Sequence, residues 1–387
     1  MFRHMPFILI SIIIAIVFLD PFIPLNVKQF LFTISLSIKS CIIMILPLII
    51  FSLLFKTATT LSGYGAILII LVILILVCIS NFLSTMLSGF IGVWAYNFNL
   101  SMIVPEVSNL KQLWSIELPT IVSNAKAMFG GIILGIVTSI IYPKQAINIS
   151  KTIEVLVSKV LNFIVYIIPL FVAGFVIKLQ ADGAVWLIVK DYSVIFAIIA
   201  AAQFSYIFLA YFVFSSLNVK EFATSIKNLC PAAISGFTTM SSAASMPLTI
   251  CGAEKNAKNK DLARSVIPAT VNIHLVGDCF AIPILAYAIL KSFGMEEPSF
   301  LNYVIFTFYF VLAKFSVAAI PGGGIIVMLP ILESYLGFNA NMMSLITALY
   351  ILFDPVITCA NVLGNGAFAK MIDRVSNCFC KKQVQKS

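Results

Sequence analysis

Apolar residues run in blocks of about 20 along nearly the whole chain, and polar residues are concentrated in the short stretches between the blocks. A block of this length is what an α-helix needs to cross the hydrocarbon core of a bilayer. The blocks predict full spans at 6–25, 30–55, 67–94, 121–141, 153–177, 185–214, 262–290 and 342–369. The pattern therefore predicts an all-α polytopic membrane protein with about eight transmembrane helices.

Two stretches break this pattern. Residues 230–251 are rich in Ser, Thr, Ala and Gly, with a Ser-Ser pair at 241–242, and residues 318–324 read Ala-Ala-Ile-Pro-Gly-Gly-Gly inside the apolar stretch 300–336. Proline and glycine at these densities do not continue a helix, and small hydroxylated residues at membrane depth favour irregular backbone that lines a cavity. We expect two re-entrant helical hairpins, although packing of small side chains is an alternative explanation for the first stretch.

The last apolar block carries a polar stripe. Its members follow one another at spacings of four, three and four, which places them on a single helix face; they are Asp354, Thr358, Asn361 and Asn365. An aspartate at mid-bilayer costs about 2.5–3.5 kcal/mol on insertion scales, so such a residue normally faces a protein interior or a wet cavity. The stripe is the leading candidate for a functional site, and a structural hydrogen bond of Asp354 within the bundle is the alternative.

Composition excludes an ordinary soluble protein. The 387 residues are 61% hydrophobic and 10% charged, with a mean hydropathy of +1.09. The net charge of +9 comes from Lys and Arg scattered through short loops, which fits the positive-inside rule and not nucleic-acid binding. The charge bias predicts a multi-pass protein of the plasma (inner) membrane with both termini and the 254–264 loop in the cytoplasm. No cofactor is expected, and Cys378 and Cys380 in the basic tail are expected to be free thiols, with lipidation or metal binding as alternatives.

The order of these features resembles the dicarboxylate/amino acid:cation symporter family, the glutamate-transporter-like family, as a divergent member. The resemblance is carried by three motifs and the striped last span: Pro47 followed by Phe-Ser at 51–52, the Ser-rich tip at 240–249, and Ile-Pro-Gly-Gly-Gly at 320–324. It implies an inverted-repeat, elevator-type transporter that assembles as a homotrimer in the lipid bilayer. Residues 1–218 would be mainly scaffold, with the third span as a candidate member of the transport domain, residues 219–371 the transport-domain core, and 372–387 a basic cytoplasmic tail.

The resemblance also implies where a small-molecule substrate binds. Asp354 would bind a substrate amine or a proton, and Thr358 and Asn361 would hydrogen-bond the substrate. Backbone groups at the two hairpin tips would close over it, at Ser241, Ser242, Gly322, Gly323 and Gly324. Ile357 stands where members with acidic substrates carry an arginine, so a small neutral amino acid is favoured over glutamate. A dicarboxylate would need another cation, such as Lys314.

The resemblance leaves both sodium and a proton open as the coupling cation, because the family's Asn-Met-Asp-Gly-Thr motif is altered here. His274 occupies the place of its aspartate and Val276 that of its threonine. The positions that the resemblance assigns to sodium are Asn272, Asn361 and Asn365. His274 and Asp278 are four residues apart and would share one helix face, where a carboxylate favours the protonated imidazole. The pair is a candidate proton site, and a helix–helix hydrogen bond is the alternative.

The sequence therefore predicts a secondary active transporter, not an enzyme, that moves a small amino acid or dicarboxylate in symport with sodium or a proton. Two other classes remain open. One is a transport-inactive receptor or scaffold of the same fold, which the altered ion positions suggest. The other is an intramembrane aspartyl protease, for which Asp278 and Asp354 would supply the paired carboxylates.

Overall fold

A computed structural model describes residues 5–62, 67–98, 110–116, 118–119, 122, 124–181, 183, 185–317 and 322–384 of the protein. These residues form α-helices and one short 3-10 helix, with no β-strand among them. The α-helices are α1 (Met5–Leu19), α2 (Leu25–Ser62), α3 (Ile67–Tyr96), α4 (Asn124–Ile141), α5 (Pro143–Ala181), α6 (Val185–Phe214), α7 (Val219–Thr239), α8 (Ser242–Asn256), α9 (Lys260–Thr270), α10 (Val276–Ser292), α11 (Phe300–Lys314), α12 (Gly323–Leu336) and α13 (Ala340–Val384). The prediction of an all-helical protein is confirmed for the described residues.

Within the described residues, three helical segments are long and apolar enough to cross a membrane. They are Val72–Tyr96 in α3, Lys190–Phe214 in α6 and Ala340–Ser376 in α13. Other apolar helices of 10–17 residues lie in α2, α4, α5, α11 and α12. These segments agree with an integral membrane protein, whereas the count of about eight spans and the elevator arrangement stay predictions.

The predicted continuous span at 262–290 is wrong. Helix α9 ends at Thr270 and α10 begins at Val276, so residues 271–275 form an unwound connection between two helices. No glycine or proline occurs within 271–275, although Pro268 lies in the last turn of α9. The break leaves backbone groups at two helix ends without intrahelical partners, and those groups need partners from elsewhere in the protein.

The first predicted hairpin is formed by α7 and α8. The turn between them places Met240 at a φ of 51°, and Ser241 then caps α8 by accepting a hydrogen bond from the Ala244 amide at 3.2 Å. The Ser245 hydroxyl donates to the Ser235 hydroxyl across the hairpin at 3.0 Å. The tip is therefore closed in part by bonds between its own residues.

The second predicted hairpin is formed by α11 and α12. Gly322 precedes α12 with a φ of 70°, a left-handed conformation that glycine adopts without steric cost. The preceding residues 318–321, including the predicted turn residue Pro321, lie outside the described part of the chain. The remainder of this hairpin tip belongs to the site described below.

Helix packing divides the described helices into two groups. Helices α1, α2, α4 and α5 pack mainly on one another, whereas α3 packs mainly on α10 and α11, and α6 on α13 and α10. Gly89 and Gly92 allow the close approach of α3, because a Cβ there would overlap the rings of Tyr303 and Tyr287. The third span thus packs with the second half of the chain, while the division into scaffold and transport roles stays a prediction.

The predicted basic tail begins inside a helix, since α13 continues to Val384. The Asp373 carboxylate accepts hydrogen bonds from the backbone amides of Lys258 at 3.0 Å and Asn259 at 2.8 Å. One turn earlier, the Lys370 ammonium bonds Glu221 at the start of α7. The start of the tail is therefore bonded to the connection between α8 and α9, and the preceding turn of α13 is bonded to the start of α7. The side chains of Cys378 and Cys380 lie outside the described part of the chain.

Candidate substrate and cation site

The polar stripe of α13 is buried as its spacing predicts. Its four side chains are between 1% and 5% exposed: Asp354, Thr358, Asn361 and Asn365. Their hydrogen bonds reach the second hairpin, the end of α9 and the start of α10. The stripe therefore joins elements that are distant in sequence, and it lies where two helices are interrupted.

Asp354 holds the tip of the second hairpin. Its Oδ2 accepts the Gly322 amide at 2.8 Å, and its Oδ1 accepts the Thr358 hydroxyl at 3.0 Å. The Gly322 amide is available because no side chain caps this end of α12. Both hydrogen-bond partners are neutral, so within the described residues this buried carboxylate forms no salt bridge.

Asn361 caps the start of α10. Leu275, at the N-cap position, provides no side-chain hydrogen bond, and the Gly277 amide instead donates to the Asn361 Oδ1 at 2.8 Å. The Asn361 Nδ2 donates to the Asp278 Oδ1 at 3.1 Å. The amide oxygen predicted to serve substrate or cation is therefore already occupied by a helix end.

Asn365 fills the same role at the break between α9 and α10. It donates to the backbone carbonyls of His274 at 3.2 Å and Asn361 at 3.0 Å, and it accepts the Thr270 hydroxyl at 3.0 Å. Both ends of this amide are engaged. Asn272, the third predicted sodium position, is exposed and lies on the connection between α9 and α10.

His274 does not share a helix face with Asp278, since it lies in the unwound connection before α10. The predicted i, i+4 geometry is wrong because it requires a continuous helix through 271–275. The His274 Nε2 hydrogen-bonds the Ser80 hydroxyl of α3 at 2.9 Å, and its ring packs on Phe368. Its Nδ1 is buried and has no hydrogen-bond partner among the described residues.

Asp278 is held by three other side chains. The Lys314 ammonium lies 2.8 Å from its Oδ2, and the Tyr350 hydroxyl and the Asn361 amide donate to its Oδ1 at 2.9 and 3.1 Å. Lys314 was named as a cation for a dicarboxylate, and the structure instead buries it completely against this aspartate. Sequence analysis missed the pairing, although a lysine in an apolar hairpin is itself a signal that a buried anion is near.

The glycines after the second tip allow a close approach. A Cβ on Gly324 would overlap both the Asp278 Oδ2 and the Tyr350 hydroxyl, so only glycine leaves room for this contact. Gly323 and Ile357 are also buried. In the first tip, Ser242 is buried and the side chain of Ser241 is used as the cap of α8.

A second polar stripe lies on α3 and was missed. Its members are buried and recur at helical spacing: Asn81, Ser84, Thr85 and Ser88. The Asn81 Nδ2 donates to the Ile273 carbonyl at 2.7 Å and so satisfies another backbone group of the break, while its Oδ1 has no partner among the described residues. The i, i+3, i+4, i+7 recurrence of polar residues inside an apolar span could have revealed this face.

Long apolar helices, an interrupted helix, two hairpins and buried carboxylates at their junction define an integral membrane protein with a polar internal site. A family model described as "Sodium:dicarboxylate symporter family" matches residues 5–375. The chain belongs to this family, which confirms the resemblance seen in its motifs.

Individual relatives match the chain at modest identity. It is 27% identical over 178 residues to excitatory amino acid transporter 3 of Mus musculus, 28% over 169 residues to excitatory amino acid transporter 1 of Homo sapiens, and 27% over 175 residues to neutral amino acid transporter B(0) of Bos taurus. The matches cover 46%, 43% and 44% of this chain, and 32%, 30% and 32% of the respective relatives. The chain thus spans about a third of the length of these relatives. The family and these relatives are transporters, not enzymes.

Proposed function

We propose that the protein is a secondary active transporter that carries a small neutral amino acid in symport with a cation, either sodium or a proton. The observation that carries the proposal is that Asp354 is buried without a cationic partner among the described residues. It is a buried carboxylate whose described hydrogen-bond partners are two neutral donors, at the junction of the second hairpin tip with α13.

A substrate ammonium would supply the positive charge that this carboxylate lacks. A buried anion without a cation is costly, and a charge-assisted hydrogen bond to an amine offsets part of that cost. Thr358 would then position the carboxylate, and the hairpin tip at Gly322 would meet the substrate because it bonds the same side chain.

The charges at the site support a neutral substrate side chain. A side-chain carboxylate on the substrate would need a cation, and Lys314 is already paired with Asp278 at 2.8 Å. Ile357, at the position that the family resemblance gives to an arginine, is apolar and fully buried. Glutamate or a dicarboxylate would therefore bring an unpaired negative charge into the site.

The contacts around Asn361, Asn365 and His274 show what each coupling cation would require. The carbonyl oxygens of Asn361 and Asn365 already accept hydrogen bonds, so sodium bound there would have to displace the Gly277 amide and the Thr270 hydroxyl. The Nδ1 of His274 has no hydrogen-bond partner among the described residues and could take a proton, but His274 lies before α10 and not on the helix face of Asp278. The coupling ion must be determined by imposing each gradient separately.

The proposal is tested by uptake into liposomes containing the purified protein. Neutral amino acids, glutamate, aspartate and C4 dicarboxylates would be offered with a sodium gradient or a pH gradient alone. We expect uptake of a neutral amino acid, with a loss of at least tenfold in Asp354→Asn, since the variant keeps the shape but removes the charge. Thr347→Val is the matched control on α13, because the Thr347 hydroxyl bonds the carbonyl of Met343 in its own helix.

Uptake by Asp354→Asn at the rate of the unmodified protein would overturn this site assignment. Proton-driven uptake that is lost in His274→Ala would identify His274 as the proton site, and an absolute sodium requirement would exclude that role. Amino-acid binding without uptake under either gradient would instead favour the transport-inactive receptor.

A further inference from the structure

Lys314 is a completely buried lysine at the last position of α11. Its side chain is 0% exposed, and that of its partner Asp278 is 1% exposed. The ammonium lies 2.8 Å from the Asp278 Oδ2 and 4.6 Å from the centre of the Phe310 ring. A lysine in such a place needs an anion, because neither water nor lipid headgroups can reach it.

The second carboxylate oxygen of Asp278, Oδ1, accepts hydrogen bonds from neutral donors. Tyr350 and Asn361, both from α13, donate to the Asp278 Oδ1. The Oδ2 is left to Lys314, and the missing Cβ of Gly324 allows α12 to approach this oxygen. The ion pair therefore lies among α10, α11, α12 and α13, which are the elements that build the candidate site.

We propose that Lys314 is a resident cation of the transport site. Its ammonium takes the position that a dissolved monovalent cation would otherwise occupy beside Asp278, so this carboxylate recruits no ion from solution. The cation is covalently part of the second hairpin, so it stays with Asp278 as long as the ion pair at 2.8 Å is kept.

The charges near the pair support a resident cation over a substrate contact. Lys314 has one described anionic partner, Asp278, whereas Asp354 accepts its described hydrogen bonds from Gly322 and Thr358. A lysine that awaited a substrate carboxylate would gain nothing from full burial against another anion. That Asp278 adds no dissolved ion to the transport cycle rests on the proposed transport function. Cation binding by Asp278 itself can be measured without transport.

The test replaces the resident cation and asks whether a dissolved one takes its place. Lys314→Ala would leave the Asp278 carboxylate and the Tyr350 hydroxyl beside the space vacated by the lysine chain beyond Cβ, and oxygen donors of this kind suit sodium. Thermal unfolding of the purified full chain would be followed in sodium, lithium or potassium chloride against choline chloride at constant ionic strength. The comparison is made with the unmodified protein and with Asp278→Asn/Lys314→Ala, which lacks both charges.

We expect each tenfold rise in sodium to raise the unfolding midpoint of Lys314→Ala by about 2 °C more than that of the unmodified protein. The double variant should lose this added dependence. Equal sodium dependence in all three proteins would overturn the proposal and leave the pair a structural salt bridge.

Lys314→Ser provides a second route if Lys314→Ala is not recovered folded. Its hydroxyl supplies another oxygen at the same place, and we expect the same added sodium dependence, again abolished by Asp278→Asn. A Lys314→Ser protein whose midpoint responds to sodium as the unmodified protein does would also contradict the proposal. Because the readout is stability, failure here leaves the Asp354 uptake test unaffected, and failure of uptake leaves this result unaffected.

Discussion

The two hairpin tips are closed in different ways. The first tip uses its own residues, since Ser241 caps α8 and Ser245 bonds Ser235. The second tip has no side-chain cap at Gly322 and donates that amide to Asp354 on α13. Among the described residues, the second hairpin tip is therefore bonded to a carboxylate of the site, whereas the bonds described at the first tip join its own residues.

The same contrast extends to the stems of the hairpins. The second carries a buried ion pair to α10 through Lys314, and the first is tied to α13 at its base, where Lys370 bonds Glu221 and Ser225. Perturbing the carboxylates of the site should loosen the second hairpin first.

Gly324→Ala should have the largest effect on this comparison. The added Cβ would overlap the Asp278 Oδ2 and the Tyr350 hydroxyl, and overpacking of this kind costs about 1–3 kcal/mol. We expect a strongly reduced uptake and a lower unfolding midpoint. Gly130→Ala on α4 is the matched control, because among the described residues its Cβ would meet the Phe51 ring alone, at 3.7 Å. Equal effects of the two substitutions would contradict the tight packing described at Gly324.

Ser241→Ala should have an intermediate effect that is confined to the first hairpin. Loss of an N-cap hydrogen bond costs about 1 kcal/mol, and here it would release the Ala244 amide. Amide exchange measured by mass spectrometry should rise in the first turn of α8. A comparable rise at the start of α12 would show that the two tips are coupled after all.

Glu221→Gln should have the smallest effect. Its carboxylate is about half exposed, and the glutamine amide oxygen still offers the buried Lys370 an acceptor, so we expect a loss of no more than the upper end of the range of about 0.2–1 kcal/mol for exposed ion pairs. Lys370 would keep its hydrogen bond to Ser225 at 2.7 Å. We expect a decrease of the unfolding midpoint of about 2 °C or less, with unchanged uptake, and a loss of uptake would place this base contact in the transport cycle.

Local patterns in the sequence predicted much of this arrangement. Serine, proline and glycine marked both hairpins, and the four-three-four spacing placed the α13 stripe on one buried face. The break at 271–275 was missed because no glycine or proline lies within it and its apolar character continues through Ile273 and Leu275. Tertiary contacts permit the break, because asparagine side chains of α3 and α13 form hydrogen bonds with its backbone groups.

The hydrogen-bond and ion-pair partners of Asp278 and His274 could not be predicted from sequence spacing either. Asp278 and His274 are close in sequence, yet their partners lie on other elements, Lys314 on α11 and Ser80 on α3. The i, i+4 rule applies only within an unbroken helix, so the missed break produced the wrong partner. The burial of Asn361 and Asn365 on one face of α13 agrees with their spacing, but their hydrogen bonds to the residues around the break could not be predicted without it.

The most direct test of the account is amide exchange at both hairpin tips in the unmodified protein and in Asp354→Asn. If Asp354 closes the second hairpin, exchange at the start of α12 rises in the variant while exchange across 235–245 stays unchanged. Unchanged exchange at α12, or an equal rise at both tips, would contradict the central claim that the site carboxylate controls one hairpin and not the other.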